Sequence, residues 1–340
     1  MTRRMRSGWL TRLAAVWQEA PSRRLALRYL VEYAAVRLWS LGVNWFTVET
    51  NLRTARLLGR LWWLLMPRHR RRALDNLRPA LGAQYSEGRL RALARGSFEH
   101  FAQLYLVEMV LTPRLITAWA WARHVELGEL GPALRILLRG RGAIMLTAHF
   151  GNYELLGYTF ARLGLPLHAV MRPLDNPLLN EFLLRSRAAG GISLLYKKGV
   201  SAVAEEVLAA GGTLCFIADQ DAGRKGLFAE FFGRPASWYK SIGLLAIRQR
   251  VPVIVGSAAR VGPGFRYRIS VERIIEPHEW EQQVDPLSWI TQTYAKALET
   301  GIRRHPEQYL WVHRRWKTQP KAGRASARPG AASAARQPRA

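Results

Sequence analysis

The middle of the chain alternates short apolar runs with stretches of helical periodicity. The run AIMLTA at 143–148 leads into a polar turn and then an apolar helical stretch. The same order recurs, with apolar runs at 167–171, 192–196, 213–218 and 251–259 and predicted helices at 177–189, 199–210 and 238–250. Strands that alternate with helices are typical of a sheet with helices on both faces. The pattern predicts an α/β fold with a central mixed, mostly parallel sheet flanked by helices, in which 266–274 is an antiparallel strand.

The start of the chain has a different pattern, rich in Trp and Arg. Residues 25–48 are about long enough to cross a bilayer, but Arg28, Glu32 and Arg37 interrupt the apolar sequence. Charges at the bilayer centre are costly, whereas Trp beside Arg is a mixture favoured at the headgroup level. We therefore predict a membrane-associated N-terminal helix that lies on the bilayer or enters it shallowly. The alternative is an ordinary helix packed in the core.

These patterns divide the chain into three parts. Residues 1–48 form a basic, amphipathic segment that we expect to anchor the protein to a membrane. Residues 49–320 contain the α/β pattern and form the main domain. Residues 321–340 have too few large apolar side chains to pack, so we predict a disordered basic tail there.

Charge and cysteine content narrow the class of protein. The chain has 51 Lys and Arg against 24 Asp and Glu, a formal net charge of +27, which favours a negative partner such as an anionic membrane, an acidic protein or nucleic acid. Its one cysteine excludes an internal disulfide framework and a cysteine-rich zinc site. The sequence contains no helix-turn-helix, zinc-finger, RNA-recognition or KH pattern, so we expect no specific nucleic acid. A basic nucleic-acid-binding or membrane scaffold protein is the non-enzyme alternative.

One histidine follows a predicted strand directly. Ligand sites in open α/β sheets lie beyond the carboxyl ends of the strands, and His149 is the first residue after AIMLTA. Glu154 comes five positions later, after a turn containing Gly151 and Asn152 that would bring its carboxylate to the imidazole. A carboxylate fixes the tautomer of a histidine and stabilises the imidazolium that forms when it takes a proton. The pair is a candidate general base with its orienting group, and a hydrogen-bonded loop histidine is the alternative. The H-E-x-x-H zinc motif is absent, and we expect no metal.

Four blocks in order carry a resemblance to a known family. They are TAHFGNYELLG, MRPLDNPLLNEFLLRSR, ADQDAGRKGLFAEFFGRPAS and PEQYLWVHRRWKTQP. Together they resemble the motifs of the bacterial lipid A biosynthesis late acyltransferases, the lauroyl and myristoyl enzymes of the lysophospholipid acyltransferase superfamily. The similarity covers roughly residues 25–320.

The resemblance implies a reaction and a place for it. An enzyme of this type transfers a fatty acyl chain from acyl carrier protein, or from an acyl-CoA thioester, to a hydroxyl of a lipid A precursor. The expected location is the cytoplasmic face of the bacterial inner membrane, and the expected partners are the acyl donor, an anionic glycolipid acceptor and the membrane surface, with no cofactor. Residues 49–320 would be the acyltransferase domain. The alternative within the same class is an acyltransferase for another glycolipid, such as a phosphatidylinositol mannoside.

The resemblance also implies roles for individual residues. His149 would remove the proton of the acceptor hydroxyl, Glu154 would hold the imidazole, and Arg172 would contact the oxyanion or a phosphate. The residues expected to bind substrate are Asn176, Arg185, Asp219, Gln220, His313, Arg314 and Arg315.

Ordinary structural roles compete with several of these assignments. Asn176 stands at a good helix N-terminus, Arg185 suits a solvated helix face, and Asp219 suits a turn. The run 313–315 would equally be a solvated charge run. The segment GLFAEFFG at 226–233 would line an acyl-chain slot or pack in the core, and the first role is our expectation.

Overall fold

The computed structural model describes residues 16–18, 20–196 and 200–320. Seven strands form one sheet, and two more form a separate hairpin. In chain order the strands are β1 (Val125–Leu127), β2 (Ala143–Thr147), β3 (Leu167–Met171), β4 (Ser193–Tyr196), β5 (Thr213–Ile217), β6 (Leu227–Phe231), β7 (Arg234–Trp238), β8 (Val253–Arg260) and β9 (Tyr267–Ile275). The hairpin consists of β6 and β7.

The helices precede the sheet and alternate with its strands. They are α1 (Arg23–Trp45), α2 (Val48–Leu65), α3 (Pro67–Leu81), α4 (Glu87–Gln103), α5 (Met109–Leu115), α6 (Gly131–Leu138), α7 (Tyr153–Arg162), α8 (Pro177–Ala189), α9 (Val200–Ala209), α10 (Lys240–Gln249), α11 (Pro277–Trp280) and α12 (Pro286–Arg304). A π-helical turn, Leu104–Glu108, joins α4 to α5.

The sheet has the order β1-β9-β8-β2-β5-β3-β4. All neighbouring pairs in it are parallel except β8 with β9, which are antiparallel. The predicted α/β fold with a mostly parallel sheet and one antiparallel return strand is therefore confirmed. All five residues of β2 are buried, as expected of a central parallel strand covered on both faces.

The core lies on both sides of this sheet. Successive side chains of a strand point to opposite faces. Accordingly, Ile144 and Leu146 of β2 pack in a cluster with α3, α4, α9, α10 and α12. Ala143 and Met145 pack in a second cluster with α2, α5, α6 and α7. The helices on both faces thus fix the position and direction of β2, and His149 follows its carboxyl end.

The hairpin corrects one expectation. Phe231 and Phe232 are 0% and 2% exposed and pack in the core with Ala229, whereas Leu227 and Phe228 are partly buried, so the phenylalanines at the end of the segment do not line an open slot. The ring of Phe231 packs against Trp238 and Tyr309, at centroid distances of 5.3 and 6.2 Å. An acyl chain would have to displace these contacts.

The first helix presents an apolar stripe to solvent. Leu27, Val31, Leu38, Leu41 and Trp45 recur at helical spacing on α1 and are between 56% and 87% exposed. On its other side α1 packs against α8 and α5. Within the described residues, no helix has both the length and the apolarity needed to cross a membrane. The predicted anchor at 1–48 lies partly outside the described residues, and the predicted tail at 321–340 lies wholly outside them.

Candidate active site

His149 meets a carboxylate from the neighbouring strand. β2 and β5 are parallel neighbours, so their carboxyl ends open at the same edge of the sheet. His149 follows β2 and Asp219 follows β5, and His149 Nδ1 lies 2.7 Å from Asp219 Oδ1. The backbone N–H of His149 also donates to Asp219 Oδ2, at 3.1 Å. Two contacts therefore fix both the ring and its backbone on one carboxyl group.

The loop that carries His149 is held by its backbone. Gly151 has a φ of +58°, and a Cβ there would lie 2.0 Å from the carbonyl oxygen of Ala258, so only glycine fits. The N–H of Gly151 donates to the carbonyl of Gln308 at 3.0 Å, and the N–H of Leu310 donates to the carbonyl of His149 at 3.0 Å. The loop is thus fixed between β8 and the C-terminal segment.

Electrostatics keep Asp219 ionised. Its side chain is 1% exposed, and this burial by itself raises the pKa of a carboxyl group. The charge and hydrogen bonds of His149, with a smaller effect of His313, outweigh burial and lower the pKa of Asp219 to about 2. Because the buried Asp219 carboxylate holds Nδ1, it orients the imidazole so that Nε2 points away from Asp219.

Three side chains surround the remaining part of the imidazole. Gln220 Nε2 lies 3.5 Å from His149 Nε2. The ring of Tyr153 meets the His149 ring edge-on at 5.4 Å, and the His313 ring stacks parallel to it at 6.4 Å. Nε2 of His313 has no hydrogen-bond partner among the described residues. Burial is the main cause that lowers the pKa of His313, which favours its neutral form.

The predicted contact between Glu154 and His149 is wrong. Arg187 on α8 binds the Glu154 carboxylate with two nitrogens, Nε to Oε2 at 3.1 Å and Nη2 to Oε1. α7 begins at Tyr153, so Glu154 is already within the helix and turns towards α8 instead of back to the loop. Asp219, which we expected to bind substrate or stabilise a turn, supplies the carboxylate that Glu154 was expected to supply.

Arg187 was missed in the sequence, although it closes the second block. We chose Arg185, two positions earlier, but its guanidinium forms an ion pair with Glu181 at 2.9 Å on the exposed face of α8. Residues two positions apart on an α-helix point about 160° away from each other, so Arg185 and Arg187 lie on nearly opposite sides of α8. The apolar Leu183 and Leu184, one turn before Arg187, were the signal that this arginine faces inward.

Asn176 and Arg172 also take positions other than those expected. Asn176 is 4% exposed and caps α8, accepting from the N–H of Leu178 at 3.0 Å. Its Nδ2 donates to the carbonyl of Tyr29 and to Glu32 on α1, each at 3.0 Å, so it joins α8 to α1. The side chain of Arg172 is 75% exposed and bound to a neighbouring aspartate. Neither residue contacts His149 in the part of the chain that the structure describes.

The basic run at 313–315 is split between surface and core. Arg314 is exposed, whereas Arg315 is 1% exposed. Arg315 Nη1 donates to the carbonyl of Ser237 at 2.7 Å, and its guanidinium lies 4.1 Å from the Trp238 ring centroid. This burial removes Arg315 from the surface, where we expected it to bind substrate.

The acidic residues after β5 do not converge on one point. Asp221 accepts from the Thr318 hydroxyl at 2.9 Å and from the N–H of Gly223 at 3.2 Å, which directs it away from the Asp219 carboxylate. Across the described ranges, no group of three or more His, Cys, Asp or Glu side chains is placed to hold a metal ion.

Known proteins match this chain over most of its length. Residues 19–318 match the family model described as bacterial lipid A biosynthesis acyltransferase. The lipid A biosynthesis palmitoleoyltransferase of Escherichia coli (strain K12) is 27% identical over 306 residues, 85% of this chain and 94% of that protein. The lipid A biosynthesis lauroyltransferase of the same organism is 27% identical over 210 residues, 60% of this chain and 67% of that protein.

A relative named for a different acceptor also matches. The phosphatidylinositol mannoside acyltransferase of Mycolicibacterium smegmatis is 24% identical over 203 residues, 57% of this chain and 64% of that protein. The family model spans nearly all of the residues that the structure describes, and the relatives named above are acyltransferases. The chain is therefore an O-acyltransferase that belongs to the bacterial lipid A biosynthesis acyltransferase family.

Proposed function

We propose that this enzyme transfers a fatty acyl chain from a thioester donor, acyl carrier protein or acyl-CoA, to a hydroxyl of an anionic lipid A precursor, with His149 as the general base. The observation that carries the proposal is the 2.7 Å hydrogen bond between His149 and the buried Asp219 at the open edge of the sheet, in a member of this family. The side chain of His149 is itself 12% exposed, so it is reachable from that edge.

The geometry supports one assignment of the proton on His149. Asp219 is ionised and can only accept, so Nδ1 carries the proton and Nε2 carries the free lone pair. The acceptor hydroxyl takes the place of the Gln220 amide at Nε2 and loses its proton as its oxygen attacks the thioester carbonyl. Asp219 stabilises the resulting imidazolium. The carbon–sulfur bond then breaks, and the thiolate takes the proton from Nε2, which leaves an ester and a free thiol.

The negative oxygen of the tetrahedral intermediate needs hydrogen-bond donors. Once the acceptor hydroxyl displaces it from Nε2, the Gln220 amide can donate to this oxygen instead, and His313 is a second candidate donor beside His149. His313 is suited to this role because its lowered pKa keeps it neutral near pH 7, and its Nε2 is unpartnered among the described residues. These two residues replace Arg172 as our candidates, since the guanidinium of Arg172 is occupied at the surface.

We also propose that the apolar stripe of α1 lies on the inner membrane, at its cytoplasmic face. α2 presents a second stripe, with Leu57, Leu61, Leu64 and Leu65 between 48% and 72% exposed. α3 begins directly after that stripe, and Arg68 and Arg71 in its first turns are exposed. Apolar side chains beside arginines suit the boundary between acyl chains and anionic headgroups.

Mass spectrometry of a reconstituted reaction tests the proposal. The full chain is incubated with palmitoyl, myristoyl or lauroyl thioesters of acyl carrier protein or coenzyme A, and with a lipid A precursor. We expect one acyl chain to be added to that acceptor, and the added mass identifies its length. Acylation of a phosphatidylinositol mannoside offered in parallel, with none of the lipid A precursor, would replace the proposed acceptor. No acyl transfer to either lipid would overturn the proposal.

A further inference from the structure

The π-helical turn Leu104–Glu108 packs behind the loop that carries His149. π-helical turns are rare, and they occur often at functional sites. This one places Glu108, which is 0% exposed, between α7 and the ends of β8 and β9. A carboxylate this deeply buried is costly unless several donors satisfy it.

Three donors from different parts of the chain converge on Glu108. Asn152 Nδ2 donates to Oε2 at 3.0 Å, and the Tyr267 hydroxyl donates to the same oxygen. Arg260 Nη2 binds Oε1 in a buried ion pair. Because each donor comes from a separate element, the carboxylate ties α7, β8 and β9 to the π-helical turn.

Asn152 connects this cluster to the His149 loop. It is 0% exposed and lies three positions after His149. Its Oδ1 caps α7 by accepting from the N–H of Leu155 at 2.8 Å, and its own N–H donates to the carbonyl of Ala258 at 2.8 Å. Because Nδ2 also donates to Glu108, every polar group of the Asn152 side chain has a hydrogen-bond partner. These bonds fix the direction in which the loop enters α7.

The same turn also reaches the other side of the histidine. The hydroxyl of Tyr105, a residue of this turn, lies close enough to that of Tyr153 for each to influence the pKa of the other. The Tyr153 ring in turn meets the edge of the His149 ring at 5.4 Å. The π-helical turn therefore contacts both the residue that follows the loop and the ring that packs on the imidazole.

We infer that Glu108 is a positioning residue for acyl transfer, which acts through Asn152 to hold His149 on Asp219. The inference rests on the proposed role of His149 as the base. The buried Glu108–Arg260–Tyr267 cluster would then keep His149 in its reactive position, in addition to any effect on the stability of the fold. Displacements of about 1 Å at a reacting group can reduce a rate by about 10²-fold.

The variant Asn152→Ser tests this inference without exposing a buried charge. Serine retains the helix cap but cannot reach Glu108, so the N–H group of Leu155 keeps an acceptor. We expect kcat to fall by about 10- to 100-fold with KM changed by less than about threefold, because the substrate surface is untouched. Hydrogen exchange of the amides at 149–152, followed by mass spectrometry on the full chain, should become at least about tenfold faster.

Thr159→Ala is the matched control. Thr159 is a 0% exposed residue of the same helix whose hydroxyl donates to the carbonyl of Leu155, so alanine there removes a buried hydrogen bond and buried packing from α7 without touching Glu108. We expect kcat of this variant to remain within about threefold of that of the unchanged protein, measured at a temperature at which both proteins are folded. An equal loss of kcat in both variants would show that the rate depends only on the stability of α7, which would overturn the inference. An unchanged kcat in Asn152→Ser would overturn it as well.

The exchange measurement separates this inference from the proposed function. If His149→Ala keeps its activity, the base assignment fails, yet faster exchange at 149–152 in Asn152→Ser would still show that Glu108 holds the loop. If exchange is unchanged in Asn152→Ser, the positioning role fails whatever base the enzyme uses.

Discussion

Replacing Asp219 by asparagine removes the charge that faces the imidazolium and changes little else in shape. The reacting imidazolium and the Asp219 carboxylate are bonded at 2.7 Å, which puts their charge centres roughly 4 Å apart. At that separation, with an effective dielectric constant of about 20, their attraction is about 4 kcal/mol, or roughly 10³-fold in rate. We therefore expect Asp219→Asn to lower kcat by about 10²- to 10⁴-fold.

The assay is single-turnover acyl transfer at pH 7 with a radiolabelled thioester, which removes product release from the measured rate. Asp221→Asn is the matched control, because that carboxylate is also 1% exposed but is bound by Thr318 and Lys317 rather than by His149. We expect Asp221→Asn to retain a single-turnover rate within about tenfold of that of the unchanged protein. If Asp219→Asn stays within the same range, Asp219 does not stabilise the imidazolium, and the reasoning fails.

The same carboxylate makes stability depend on pH. The pKa of Asp219 is lowered from 3.8 to about 2 in the folded protein, so its ionised form contributes stability above about pH 4. That contribution, about 2 kcal/mol, is lost as the pH falls from 4 towards 2. The difference in unfolding free energy between the unchanged protein and Asp219→Asn should therefore narrow over this window, and a constant difference would contradict the lowered pKa.

Two further predictions concern Glu154 and the membrane face. Glu154→Gln leaves the largely enclosed Arg187 guanidinium without its carboxylate and should lower the free energy of unfolding in urea by about 3 kcal/mol. The double variant Glu154→Gln with Arg187→Met should recover most of this loss, and additive losses would exclude a coupled pair. Changing Leu38 and Trp45, which are 69% and 87% exposed, to serine should weaken binding to vesicles of phosphatidylcholine and phosphatidylglycerol by more than about tenfold at unchanged melting temperature. Equal flotation of both proteins would place the membrane contact elsewhere.

The local pattern of the sequence was sufficient to predict six of the seven strands of the sheet, whereas the three-residue edge strand β1 was missed. Strand β3 and helix α8 have the predicted bounds, 167–171 and 177–189, because the apolar runs and the Asn-Pro start of the helix are local signals. The antiparallel strand β9 was also predicted, and it begins one residue later than expected. Such signals depend on side-chain periodicity and capping, which are visible without tertiary contacts.

The site was less predictable, because its partners come from distant parts of the chain. His149 was placed correctly at a strand end, but its carboxylate partner is 70 positions away, just after β5, and the strand order decides which carboxylate lies beside His149. Glu154 was nearer in sequence and was chosen for that reason. The burial of two charged residues was not predictable from the sequence either. Arg315 and Glu108 are enclosed by the fold, although charged residues are mostly exposed.

The most direct test of the central claim is the single-turnover rate of His149→Ala on the acceptor lipid identified by mass spectrometry. If His149 takes the proton of the acceptor hydroxyl, this variant should fold and float with vesicles as the unchanged protein does, and its acyl transfer should fall by about 10²- to 10⁴-fold. A folded His149→Ala enzyme whose rate stays within about tenfold of the unchanged enzyme would contradict the claim.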